Sequence, residues 1–174
     1  MKNMSPARFI SIGGLLTTMA VIFQSAPVFL PVIGLGFSPL STLPVAIAAF
    51  LHIPLGITVY FAAALILAFI YIQEAIILFF TTGLLGIVIG TFLYRRGLVV
   101  SVILSGVILS LGMLSLTYIA GIAAFGDLTN SLSIPHTIVI FLAFSLVYVS
   151  IWNICLRKLI NYLVRIKAFG NVVS

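Results

Sequence analysis

The basic residues of this chain lie only at the ends of long apolar segments, and this pattern constrains the fold more than any other feature. They precede the first segment, end the fourth or close the chain: Lys2, Arg8, Arg95, Arg96, Arg157, Lys158, Arg165 and Lys167. The only two acidic residues, Glu74 and Asp127, fall at turns on the opposite side. Because Lys and Arg collect in the cytoplasmic loops of multi-pass membrane proteins, the pattern predicts a membrane bundle with both termini in the cytoplasm.

The composition excludes a water-soluble domain. Of the 174 residues, 63% are hydrophobic and only 6% are charged, which leaves too little polar surface to face water. The net charge of +6 is spread over segment ends, so we expect it to anchor the chain at lipid headgroups and not to bind nucleic acid. We predict an all-α integral membrane protein of the cell membrane, with residues 1–174 in one transmembrane domain.

Glycines and prolines divide the sequence into six apolar segments. We predict transmembrane helices over residues 9–30, 40–52, 54–72, 73–94, 97–124 and 135–159. The first segment also resembles a signal peptide. However, its candidate cleavage site at Gln24-Ser25-Ala26 begins with a large residue and is followed by Pro27, so we expect a retained helix.

The second predicted helix is short for a membrane crossing. Thirteen residues, 40–52, rise only about 20 Å, whereas the hydrocarbon core is about 30 Å thick. Joining this segment to the third would give five crossings and place Arg95-Arg96 on the face opposite Lys2. We therefore expect six crossings, with a turn-rich loop over 34–39, Ser41 or Thr42 as N-cap, and a second helix packed inside the bundle.

Small residues recur at helical spacing in two of the segments. Gly86 and Gly90 form a GxxxG pair in the fourth segment, and the first segment carries the face Ala7, Ser11, Gly14 and Thr18. Small residues let helix backbones approach closely in lipid. Such faces serve either internal packing or the docking of a partner's helix, and the first segment is the preferred docking candidate.

Polar residues near the outer ends of the later segments form one candidate binding site. Glu74 is flanked by Tyr71 and Gln73 and either contacts a ligand or lies in water at a helix end, because a carboxylate at membrane depth is costly. Further along, either loop capping or closure over an outward-facing pocket explains Asp127, Asn130 and His136, whereas Tyr118 either packs within the bundle or lines that pocket. The candidate ligand-binding residues are Tyr71, Gln73, Glu74, Tyr118, Asp127, Asn130 and His136.

Motifs for enzymatic chemistry are missing from the sequence. It contains no phosphate-binding glycine loop, no His-Glu-x-x-His zinc motif and no Gly-x-Ser-x-Gly elbow, so we expect no ATP hydrolysis by this chain itself. With two acids and no Cys or acid near His52, we predict no enzyme activity, no metal site and no cofactor.

The six-segment layout resembles the S component, the substrate-binding membrane subunit of energy-coupling factor transporters. The resemblance covers nearly the whole chain in architecture and rests locally on three stretches: Phe37-Ser-Pro-Leu-Ser-Thr-Leu-Pro44, Pro54-Leu-Gly56, and Gly83-Leu-Leu-Gly86-Ile-Val-Ile-Gly90 leading to Arg95-Arg96. The same stretches are compatible with a related uncharacterised family of multi-pass bacterial proteins.

The resemblance implies a partner and a function. In that family the first helix carries an Ala-x-x-x-Ala face that meets a membrane coupling subunit; here Ala7-Ser11 or Gly14-Thr18 would take its place. A vitamin or micronutrient would bind near the outer ends of helices four to six, and two cytosolic ATPases would supply the energy. The alternative is a membrane scaffold of cell-envelope assembly of the MreD type, which has similar length and helix number and should form a filled bundle.

Overall fold

The computed structural model describes residues 5–30, 32–122 and 133–165, the side chains of 163–165 excepted. Within these ranges the chain is helical and contains no strand. Among the described residues, six helices are long and apolar enough to cross a membrane, which confirms the predicted number. They are α1 (Pro6–Phe29), α2 (Ile33–Leu51), α3 (Ile53–Ile70), α4 (Ile72–Phe92), α5 (Leu98–Tyr118) and α6 (Ile134–Arg165).

Helix α2 begins at Ile33, seven residues before the predicted start at residue 40. The predicted loop over 34–39 was wrong, because Ile33–Phe37 is α-helical and Ser38–Ser41 continues as a 3₁₀ turn into Thr42–Leu51. Gly34 lies directly against the backbone carbonyl of Ala26, where any side chain would collide. The missing side chain of Gly34 therefore allows α1 and α2 to approach closely. The nineteen residues of α2 rise about 28 Å, close to the thickness of the hydrocarbon core.

The ends of two other predicted features also differ from the structure. Ser41 is not a helix cap, since its backbone is helical and its hydroxyl donates to Gln24 Oε1 at 2.7 Å. Helix α5 ends at Tyr118 and not at residue 124. Gly121 follows with φ of +70°, a conformation that stops a right-handed helix and that glycine adopts at little cost.

Helix α2 lies at the centre of the bundle, as predicted. It packs against α1, α3 and the second half of α4, and no residue from 42 to 51 is exposed. One apolar core joins α1, α2, α3 and the start of α4, and another joins α2, α4, α5 and α6. Helix α6 packs extensively against α5 alone among the described elements.

At one end of the bundle lie the first residues of α1, α3 and α5 and the last residues of α2, α4 and α6. The backbone of Gly13 lies against Leu55, the rings of Phe50 and Tyr94 are 5.0 Å apart, and the Tyr94 hydroxyl donates to Asn161 Oδ1 at 2.6 Å. We call this the terminal end. The opposite end contains the α1–α2 and α3–α4 connections, and the candidate site lies towards it.

Candidate ligand cavity

A cavity of about 330 Å³ lies between α4, α5 and α6. Small-molecule sites in proteins are clefts of roughly this size or larger, lined by apolar side chains with a few polar groups. Residues from all three helices and from the segment after α5 line it: Gln73, Ile77, Thr81, Thr82, Leu85, Leu109, Met113, Leu116, Ile122, Phe144 and Tyr148.

The packing of α6 explains why this space is open. The bond from Tyr94 to Asn161 ties α6 to the end of α4 at the terminal end. In the described part of the chain, α6 packs extensively against α5 and not against α4. Direct packing therefore does not close the space between α4 and α6, and the cavity lies there.

A π-helical turn in α4 shapes the cavity wall. It spans Leu78–Thr82, and π-turns occur mostly as single insertions, often at functional sites. The carbonyl of Phe79 accepts a hydrogen bond from the Tyr60 hydroxyl at 2.8 Å. The backbone of Gly112 lies directly on the Phe80 carbonyl, so close that a side chain would collide. The turn is thus held from α3 on one side and from α5 on the other.

The wall combines an apolar surface with few hydrogen-bonding groups. Thr81 and Thr82 already donate their hydroxyl hydrogens, to Ile77 O at 2.6 Å and to Gln24 Oε1 at 2.9 Å, which leaves their oxygens as acceptors. The Gln73 amide lies at the exposed edge. Phe144 and Tyr148 stack, with ring centres 5.8 Å apart and planes 22° from parallel, and offer a flat aromatic wall.

A buried polar cluster lies on the other side of the π-turn, centred on the fully buried Gln24 of α1. The Gln24 amide nitrogen donates to Glu74 Oε2 at 2.8 Å and to Ser38 Oγ at 3.0 Å. Its oxygen accepts from Ser41 Oγ at 2.7 Å and from Thr82 Oγ1 at 2.9 Å. We call these five residues the Gln24 cluster. It joins α1, α2 and α4, and it satisfies both donors and both acceptor positions of the Gln24 amide.

Glu74 belongs to this cluster and does not line the cavity. Its side chain is only 8% exposed, so it neither lies in water at a helix end nor touches the ligand space. Thr82 is the one residue that belongs to both the Gln24 cluster and the cavity wall. We predicted Glu74 as a ligand-binding residue, but it is connected to the cavity only indirectly, through Thr82.

The other predicted ligand-binding residues are dispersed. Gln73 lines the cavity, whereas Tyr71 and Tyr118 are exposed outside its lining. His136 is exposed too, and its Nδ1 pairs with the Ser133 hydroxyl at 2.7 Å. Asp127 and Asn130 lie outside the described residues. Among the residues described, three or more His, Cys, Asp or Glu side chains nowhere converge as metal ligands.

Sequence reasoning missed Thr82, Met113 and Tyr148 as lining residues of the cavity, and it missed Gln24 as the centre of the adjoining polar cluster. Gln24 carried a usable signal, since a polar amide within an apolar helix needs partners inside the bundle. Met113 and Tyr148 carried none, because their residue types are equally typical of ordinary core packing.

The small-residue faces have different environments. Gly86 lies against Val45 and Gly90 against Ala46 and Ala49, so the glycines of α4 serve internal packing. On α1, by contrast, Ala7, Ser11, Gly14 and Thr18 are all exposed. A side chain added at Gly14 would meet nothing within 4 Å. The predicted docking face therefore lies on the outside of the bundle.

Comparison with known proteins adds no family assignment. The sequence matches no protein-family model, and neither a curated protein nor a solved structure matches the chain.

Proposed function

We propose that the protein is the substrate-binding membrane subunit of an uptake transporter of the energy-coupling factor type, which captures a small molecule such as a vitamin or micronutrient. The observation that carries this proposal is the cavity of about 330 Å³ between α4, α5 and α6. A scaffold of the MreD type should have a filled bundle, so a cavity of ligand size favours the transporter subunit.

The distribution of charge supports an orientation for this function. The exposed basic side chains of Arg8, Arg95, Arg96, Arg157 and Lys158 belong to the segments that meet at the terminal end. Because basic residues favour the cytoplasmic side, we propose that the terminal end is cytoplasmic. The cavity then lies in the outer half of the membrane, where a substrate captured from outside would be held.

The exposed small-residue face of α1 suits the docking of a coupling subunit. Small side chains at positions 7, 11, 14 and 18 follow one side of the helix, and their exposure leaves room for a partner's helix to approach the backbone. In this proposal the coupling subunit binds here, and two cytosolic ATPases bind the coupling subunit.

A pair of matched variants tests the docking face. Thr18 and Thr58 are both exposed, and each donates its hydroxyl to the carbonyl four residues earlier at 2.9 Å. Thr18→Leu should lower the amount of coupling subunit and ATPases that copurify from native membranes at least tenfold, since a large side chain keeps the helices apart. Thr58→Leu, on α3, should leave copurification unchanged.

Quantitative mass spectrometry of the purified complexes measures this difference. Equal copurification with both variants would remove α1 as the docking face. The absence of any coupling subunit or ATPase from the wild-type preparation would contradict the transporter proposal itself.

A further inference from the structure

The edge of the cavity adjoins a lipid-facing surface of α6. Phe144 lines the cavity and is 42% exposed. It lies ten residues after Ile134, so it is about 15 Å along the helix, near the middle of a hydrocarbon core of about 30 Å. At this depth an exposed side chain faces acyl chains and not water.

The neighbours of Phe144 show the same exposure. Ile140, Val147 and Ile151 lie on the same side of α6 as Phe144, at helical spacing, and all are exposed. This apolar stripe continues from the lipid-facing surface to the rim of the cavity. Across the gap, Ile77 of α4 is partly exposed and also lines the cavity. The space between α4 and α6 is therefore bordered by apolar groups at membrane depth.

The chemistry of the wall restricts what the cavity can hold. In the part of the chain that the structure describes, no charged side chain lines it. Glu74, the nearest acid in sequence, is turned away into the Gln24 cluster and bonded to Gln24. An ionised ligand would lose its hydration without gaining a counter-charge from any of the described lining residues, which is strongly unfavourable. The polar groups present are amide and hydroxyl groups, which can bond an uncharged hydroxyl or carbonyl.

We propose that the cavity receives an uncharged, largely apolar molecule that partitions into the bilayer, with a flat ring against Phe144 and Tyr148 and a polar group towards Gln73 or the threonine oxygens. This inference rests on the proposed function only in taking the cavity as the ligand site. It narrows the substrate class from small molecules in general to lipophilic ones.

Three probes of different chemistry test this inference. They are 2-naphthalenemethanol, which is uncharged and apolar; 2-naphthoate, which has the same ring with a carboxylate; and myo-inositol, which is uncharged and polar. Binding is measured by equilibrium dialysis against the protein in lipid nanodiscs, and empty nanodiscs of the same lipid correct for partitioning. The alcohol should bind saturably, at least tenfold more tightly than the carboxylate or inositol.

Two variants confirm where the probe binds. Met113→Trp puts bulk into the cavity and should weaken binding of the alcohol at least tenfold, whereas Leu111→Trp, on the exposed side of α5, should not change it. Tighter binding of 2-naphthoate or inositol would overturn the substrate class and leave the proposed function standing. Absence of saturable binding by all three probes would also overturn the proposed substrate class. Copurification of the coupling subunit would then test separately whether the protein is a transporter subunit.

Discussion

Replacing Gly90 with alanine should destabilise the bundle by about 3 kcal/mol. The new methyl would collide with the backbone carbonyl of Ala46 and approach the side chain of Ala49. Both obstacles belong to α2 at the centre of the bundle, so neither can move without displacing a helix that packs on three others. Overpacking of this kind usually costs about 1–3 kcal/mol and occasionally more.

Thermal unfolding in detergent, followed by circular dichroism, measures the loss. The matched control is Gly14→Ala on α1, where the added methyl would meet nothing within 4 Å. Because alanine favours a helix over glycine by about 1 kcal/mol, this variant should unfold at the same temperature as the wild type or higher. Equal losses from both substitutions would contradict the packing of α2 against α4.

Replacing Gln24 with alanine should destabilise the protein by about 3 kcal/mol as well, for a different reason. The substitution removes four hydrogen bonds at once and leaves the buried Glu74 without its amide donor. A buried polar group without a partner costs about 1–3 kcal/mol, although hydrogen bonds inside membrane proteins average nearer 0.6 kcal/mol each. The expected loss of stability is the sum of these costs over the residues of the Gln24 cluster.

Two comparisons separate this effect from a general loss of polar groups. Gln73→Ala removes an exposed amide that accepts a long hydrogen bond from the Tyr71 hydroxyl at 3.4 Å, so the stability of this variant should stay within about 0.5 kcal/mol of the wild type. Glu74→Ala combined with Gln24→Ala should cost less than the sum of the two single variants, because the residues are in direct contact. Additive losses would show that the two side chains do not interact.

The apolar segments predicted the fold well because membrane-crossing helices must satisfy all their backbone hydrogen bonds internally. Six long apolar runs therefore became six helices. The start of α2 could not be predicted, since Gly34, Gly36 and Pro39 are typical turn residues. In the structure Gly34 serves instead a close approach to Ala26, a tertiary contact that no local pattern encodes.

The candidate site was harder to predict than the fold. Gln73 and Glu74 are adjacent on a regular helical turn and so point to different sides of α4; one lines the cavity and the other lies in the Gln24 cluster. The π-turn adds one residue to α4, which rotates everything after it by about 100° relative to a regular helix. Regular helical spacing thus misassigns the faces of this helix, and Thr82 could not be placed beside Gln24 from the letters alone.

The central claim is that the cavity between α4, α5 and α6 holds a small molecule, and native mass spectrometry of protein purified from its own membranes tests it most directly. The wild-type protein and the Leu111→Trp control should each carry one bound small molecule, detected as a discrete added mass that is lost on collisional activation. Met113→Trp, with its indole directed into the cavity, should carry none while keeping the helical circular dichroism spectrum of the wild type. Retention of the same mass by Met113→Trp, or its absence from the wild type, would contradict the account.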